Sequence, residues 1–199
     1  MYKQRGKIHP AAAVLIIVVA LAAMGTFIVY GINQSRNTPQ HFFPLRRNLA
    51  ARLLNEVRDH DLINNYPETA LDVILLNNNF LMLYHGQMVS DPDLLWELIG
   101  IQRHLFSDSL MTNNSHQQQF DSIWESINTR HPHNVYVNSI EVGQSFRSGR
   151  VDMYVFPITM RMVNYDNLYW NYFVYLDDSG RWRIANYDRT DSTFRNILD

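Results

Sequence analysis

Three consecutive amides, Asn77, Asn78 and Asn79, and an imidazole, His85, sit in the otherwise apolar stretch ALDVILLNNNFLMLYHG, Ala70 to Gly86. Amides and a neutral imidazole each offer both donors and acceptors, so they serve either to hold a polar group or to bond water at a solvated edge. At about 100° per residue, Leu71, Ile74, Leu75, Asn78, Leu81, Met82 and His85 share one helical face. Asn78 is central on that face and Asn77 and Asn79 lie at its borders, while Val73, Leu76, Phe80 and Leu83 make a second apolar face. This predicts a helix covered on both sides in which only Asn78 needs a buried partner. A backbone group or buried water in an ordinary core is the plainest such partner.

Other chemistry is thinly represented. His131 and His133 in RHPHN have the spacing of two metal ligands on one strand face, but no third ligand follows by spacing, and a solvated turn around Pro132 is the better reading. His104 and His116 are scattered. The chain has no cysteine, which excludes disulfides, thiolate metal sites and a cysteine nucleophile. No Gly-x-Ser-x-Gly, phosphate loop or His-Glu-x-x-His is present, so no catalytic residue, metal or cofactor is assigned.

The elements that must position these groups begin with a membrane anchor. Residues 11–32, AAAVLIIVVALAAMGTFIVYGI, carry no charge. A run of about 20 apolar residues suffices to cross a bilayer core. The small residues of ALAAMG also resemble a signal-peptide cleavage region, but the apolar run continues past them, so a retained anchor is expected. Lys3, Arg5 and Lys7 precede the span and only Arg36 closely follows it, which orients residues 1–10 to the cytoplasm. Residues 33–43 read as a polar linker and 44–199 as one extracytoplasmic domain, with the lipid bilayer as the partner of 11–32. All 19 acidic residues lie beyond residue 39, as do 13 of the 17 basic ones, every one of these 13 an arginine. That acidic balance argues against a nucleic-acid partner.

Within the domain, helical spacing predicts helices over Pro44 to Asp61, through Ala70 to Gly86, from Ser90 with a box-like Ser90 and Asp93 pair, and over SHQQQFDSIWESIN with Phe120, Ile123, Trp124 and Ile127 on one side. Pro67 is read as part of the second helix's first turn. After His133 the period becomes two. NVYVNSIEV, RVDMYVFPITMRMV, LYWNYFVYLD and RWRIANYDRT, separated by turn-forming segments, predict a four-stranded antiparallel meander with a bulge or bend at Pro157. The expected class is therefore α+β, with helices packed on one face of a bent sheet.

This order, carried by YPETALDVILLNNNFLMLYHG as the long helix and DDSGRWRIANYDRT as the terminal hairpin and strand, resembles the nuclear transport factor 2-like fold. The resemblance implies a cone enclosed by the sheet and long helix, into which Asn78 and His85 would project as polar anchors. It further implies that Asp188, with Tyr136, Tyr154 or Tyr172, would be the acid-base candidate, although the strand-end position of Asp188 favours solvent. Similar domains serve as assembly parts of envelope machines.

The strand LYWNYFVYL places Leu168, Trp170, Tyr172, Val174 and Leu176 on one face and Tyr169, Asn171, Phe173 and Tyr175 on the other. Only one face can pack on the helices, so Tyr169, Phe173 and Tyr175 are the interface candidates. The leading expectation is a non-enzymatic, membrane-tethered scaffold that docks an envelope protein or a second copy of itself. The rival is a protein that binds a small apolar ligand, or an isomerase-like or hydratase-like enzyme, using the cone.

Overall fold

The computed structural model describes residues 44–149 and 153–190. The chain divides into a unit of residues 1–43 and a unit of 44–199, and every described residue belongs to the second. The anchor and linker expected at 11–43 lie outside the described residues. Among the described residues no helix is long and apolar enough to cross a membrane.

The fold is α+β, and the strands form one antiparallel sheet. The helices are α1 (Pro44–Asp59), α2 (Ala70–His85), α3 (Pro92–Gln102), α4 (Asp108–Asn113) and α5 (His116–Arg130). The strands are β1 (Tyr136–Val142), β2 (Phe146–Arg147), β3 (Met153–Val163), β4 (Leu168–Leu176) and β5 (Trp182–Thr190). Their order is β1-β3-β4-β5, with β2 pairing β3 beyond the end of β1. The sheet thus has five strands rather than the expected four, because the segment read as one turn after β1 contributes the two-residue β2.

Local chemistry accounts for the helix starts. Thr69 caps α2: its hydroxyl accepts from the Asp72 amide while the Asp72 carboxylate accepts from the Thr69 amide, so both exposed donors of that turn are satisfied. Ser115 and Gln118 do the same for α5. Pro67 lies before α2 rather than within its first turn. At α3 the cap is Asp91, which accepts from the Asp93 amide, and not the Ser90 and Asp93 pair expected from spacing.

Helix α2 packs against α1, α3 and α5 and against strands β1, β4 and β5, so it is covered on several sides. Phe80, Leu83, Tyr84, Val73 and Ile74 are fully buried there. They join Leu95, Leu98 and Ile99 of α3 and Val137, Ile158, Val174 and Ile184 of the sheet in one core. Leu71 and Leu75, expected on the apolar face with Asn78, are instead 45% and 47% exposed.

Pro157 does not bulge the sheet. It pairs with Asn171 in unbroken β3–β4 register, and its carbonyl accepts from Gly143 at 2.7 Å on the β1 side. In an antiparallel strand the N and C=O of a residue point to the same side. The missing proline N–H therefore falls where β1 gives way to β2, and no β3–β4 bond is lost. The register shifts occur elsewhere. Asn138 is an extra residue in β1, between Val137 and Ser139, and Ala185 is an extra residue in β5, between the partners of Phe173 and Val174. Past its other edge, β5 is met by the segment after α3, where Phe106 bridges Ile184 and the Ser107 amide donates to the Ile184 carbonyl at 2.9 Å. That contact covers an edge otherwise open to another chain.

Candidate functional site

Between α2, α5 and the inner face of the sheet lies a cleft of about 610 Å³. Asn77, Leu81 and His85 line it, four residues apart and therefore on one side of α2. Gln102, Gln119 and Arg130 enter from the helical side, and Trp170, Tyr172, Tyr187 and Arg189 from the sheet. Among the described residues no Asp or Glu lines the cleft.

The buried end of the cleft is built from amides. Arg103 donates to the Gln119 Oε1 at 3.2 Å and is itself fixed on the Asn114 and Met111 carbonyls at 2.7 and 3.1 Å. Gln119 Nε2 donates to Gln102 Oε1 at 3.0 Å, and Gln102 Nε2 donates to Asn77 Oδ1 at 2.8 Å. The chain of donors ends at Asn77, which is 1% exposed and whose Nδ2 makes no hydrogen bond of good geometry, although its side chain interacts with the Tyr172 hydroxyl. Nearby, Tyr172 has its hydroxyl pKa driven far up by burial and by the neighbouring Tyr187, an effect the Asn77 side chain opposes.

The opposite end is cationic. His85 is half-buried as a residue, and its Nδ1 is enclosed with no partner. Burial first, and then the charge of Arg130, hold the imidazole down at about 4, so it is neutral near pH 7. Burial likewise lowers the Arg130 guanidinium, with Arg189 acting in the same direction through like charge. The Trp170 Nε1, on a residue in register with Arg189, is a further buried donor without a partner.

The sequence candidates are thus dispersed. His85 lines this cleft, but Asn78 lines a second depression of about 710 Å³ together with Tyr66, Asn79, Met82 and Ile140. Asn78 is buried and its Oδ1 is unpartnered, yet the residue lining the cleft beside α5 is Asn77, expected only at a border. Asp188 belongs to neither. The Ala185 bulge pairs Asp188 with Asn171 on the sheet face away from the cleft, where Asp188 is exposed, and turns Tyr187 and Arg189 inward. Of the tyrosines grouped with Asp188, Tyr172 lines the cleft, Tyr154 packs on Trp182, and Tyr136 lies beneath the Arg46 guanidinium at 3.6 Å.

His131 and His133 form a one-turn 3-10 helix ahead of β1, and among the described residues no three His, Asp or Glu side chains are grouped to hold a metal. Tyr169, Phe173 and Tyr175 lie half-buried on the face of β4 opposite Leu168, Trp170 and Tyr172. That division matches the alternation of the sequence.

The family model of a domain of unknown function, DUF6715, matches residues 1–187. The chain belongs to this family. No curated protein and no solved structure matches it. The DUF6715 match takes in both the apolar N-terminal segment and nearly all of the α+β unit, so the two occur within one family model. The described cleft residues of this DUF6715 chain from Asn77 to Tyr187 fall inside the matched range, and Arg189 lies just beyond it.

Proposed function

We propose that the α+β unit of this DUF6715 chain is a membrane-tethered, extracytoplasmic module that binds a small molecule in the cleft beside α2. The observation that carries the reading is the set of enclosed polar atoms without partners on the cleft wall: Asn77 Nδ2, His85 Nδ1 and Trp170 Nε1. Buried polar groups are normally paired, and each left unpaired costs about 1–3 kcal/mol. A ligand that bonds these atoms recovers that cost. The volume lies within the range of about 300–1,000 Å³ typical of ligand sites. Helices over a bent sheet with a cleft between them accord with a nuclear transport factor 2-like half-barrel, and the uncharged run at 11–32, with its basic flank, supports the tether.

Binding is favoured over catalysis. The isomerase-like or hydratase-like alternative requires an acid-base pair, and the described lining residues supply one neutral imidazole and no carboxylate. The test is native mass spectrometry of the full-length chain released from membranes in mild detergent, beside Ser126→Trp, which fills the cleft from α5. Wild type should carry a small molecule that the variant lacks. Identical spectra would remove the binding reading.

A second reading, docking of an envelope protein or of a second copy, draws support from Tyr169, Phe173 and Tyr175 on the opposite face of the sheet, since half-buried aromatics are common interface anchors.

A further inference from the structure

We infer that the cleft takes an elongated amphipathic carboxylate bearing a second, uncharged hydrogen-bonding group at its far end. This rests on the binding reading above and specifies the ligand. The cleft follows α2 from Asn77 to His85, eight residues, or about 12 Å at the helical rise. Its two ends differ in chemistry. At the His85 end stand two guanidiniums, Arg130 and Arg189, and the Trp170 Nε1 donor, with no acidic residue among the described residues of the wall. Guanidinium groups without a carboxylate partner favour an anionic group, and the planar fork matches a carboxylate in two-point contact.

At the Asn77 end the amide ladder is uncharged. The Asn77 oxygen is already engaged by Gln102, so what remains for a ligand is the Nδ2 donor beside the Tyr172 hydroxyl, which makes no hydrogen bond of good geometry. That atom calls for an acceptor such as a hydroxyl or carbonyl oxygen. Leu81 lies midway along α2 between the two ends, with Ile123 and Leu168 also in the wall, and these side chains suit an apolar body. A cation would meet two like charges at one end, and a plain hydrocarbon would leave both ends unsatisfied.

The test uses the full-length chain in nanodiscs, titrated calorimetrically with octanoate, ω-hydroxyoctanoate, octanol and octylamine. Octanoate should bind saturably and at least about tenfold tighter than octanol or octylamine, since a charge-assisted hydrogen bond is worth roughly a factor of ten. ω-Hydroxyoctanoate should bind tighter still, and Asn77→Leu should abolish that advantage while octanoate binding persists. Arg189→Gln and Arg130→Gln should each weaken octanoate about tenfold and leave octanol unchanged, and Arg189→Gln, at an exposed position, should leave the melting temperature of the free protein unchanged. Equal binding of octanol and octanoate, or no effect of the two Arg variants together, overturns the carboxylate assignment and leaves the cleft reading intact. No preference for ω-hydroxyoctanoate overturns the second polar end. Failure of all four probes to bind the folded chain overturns the cleft reading itself.

Discussion

Gln102 is the central link of the buried amide ladder, and replacing it with leucine tests whether the ladder holds α2, α3 and α5 together. The side chain is 2% exposed and makes two bonds, donating to Asn77 Oδ1 at 2.8 Å and accepting from Gln119 Nε2 at 3.0 Å. Gln102→Leu strands both partners. Asn77, 1% exposed, loses the only bond its oxygen makes among the described residues, at a cost of about 1–3 kcal/mol. Gln119 lies at the cleft wall and can recover a water, so its loss falls at the lower end of that range. The expected destabilisation is about 2–4 kcal/mol, or roughly 5–15 °C for a domain of this size. Adding Asn77→Leu removes the stranded amide, so the double variant should be no worse than Gln102→Leu alone, with about 1–2 kcal/mol of coupling between the sites. The assay is thermal and denaturant unfolding of wild type, both single variants and the double variant, followed by tryptophan fluorescence. A neutral Gln102→Leu, or strictly additive single effects, would refute the ladder.

His85 is held neutral by burial, with its pKa at about 4 against about 6.5 in an unfolded chain, so its contribution is complete above pH 6.5 and is lost as pH falls toward 4. Because the residue is only half-buried, we expect about 1–2 kcal/mol over that window, absent in His85→Gln, measured as stability against pH. Thr69→Ala removes the cap of α2 and should cost about 1 kcal/mol in denaturant unfolding, with Ser at that position close to wild type. Phe173→Ser with Tyr175→Ser should weaken self-association in sedimentation by about 2 kcal/mol or more if the outer sheet face docks a second copy; a monomeric wild type sinks that expectation. Deleting Ala185 should leave Asp188 outward, so a cysteine placed there in this cysteine-free chain labels equally fast with and without the deletion.

What could be read from the residues is what depends on neighbours along the chain. The α+β order and the strands β1, β3, β4 and β5 follow from the change in period, and α1, α2, α3 and α5 from helical spacing and turn chemistry. The short α4 and β2 carry too few residues to show a period. The choice between Asn77 and Asn78 depends on the azimuth at which α2 meets its neighbours, which a helical wheel leaves free. A signal for the amide ladder was nonetheless present. Gln102 follows Leu95, Leu98 and Ile99 at helical spacing, so a long amide occupies a position that spacing reserves for the core. Gln119 and Asn77 come from two other helices, and only the packed fold brings them to it.

The outward position of Asp188, which its place near the strand end favoured, has one structural cause. Strict alternation along RWRIANYDRT sets Trp182, Ile184, Asn186 and Asp188 on one face, and the inward positions of Trp182 and Ile184 would then carry Asp188 inward as well. The fold keeps the first half of that rule. Ile184 pairs with Val174 and is fully buried. At Ala185 one residue stands without a counterpart on β4, so every residue after it exchanges faces: Asn186, Asp188 and Thr190 go outward, and Tyr187 and Arg189 come to the cleft. A single unpaired alanine therefore replaces a carboxylate with a phenol and a guanidinium at the site. In place of the acid-base wall that the resemblance implied it leaves a donor-rich one, and it does so through strand register, a property of two paired strands that the residues of one strand do not encode alone.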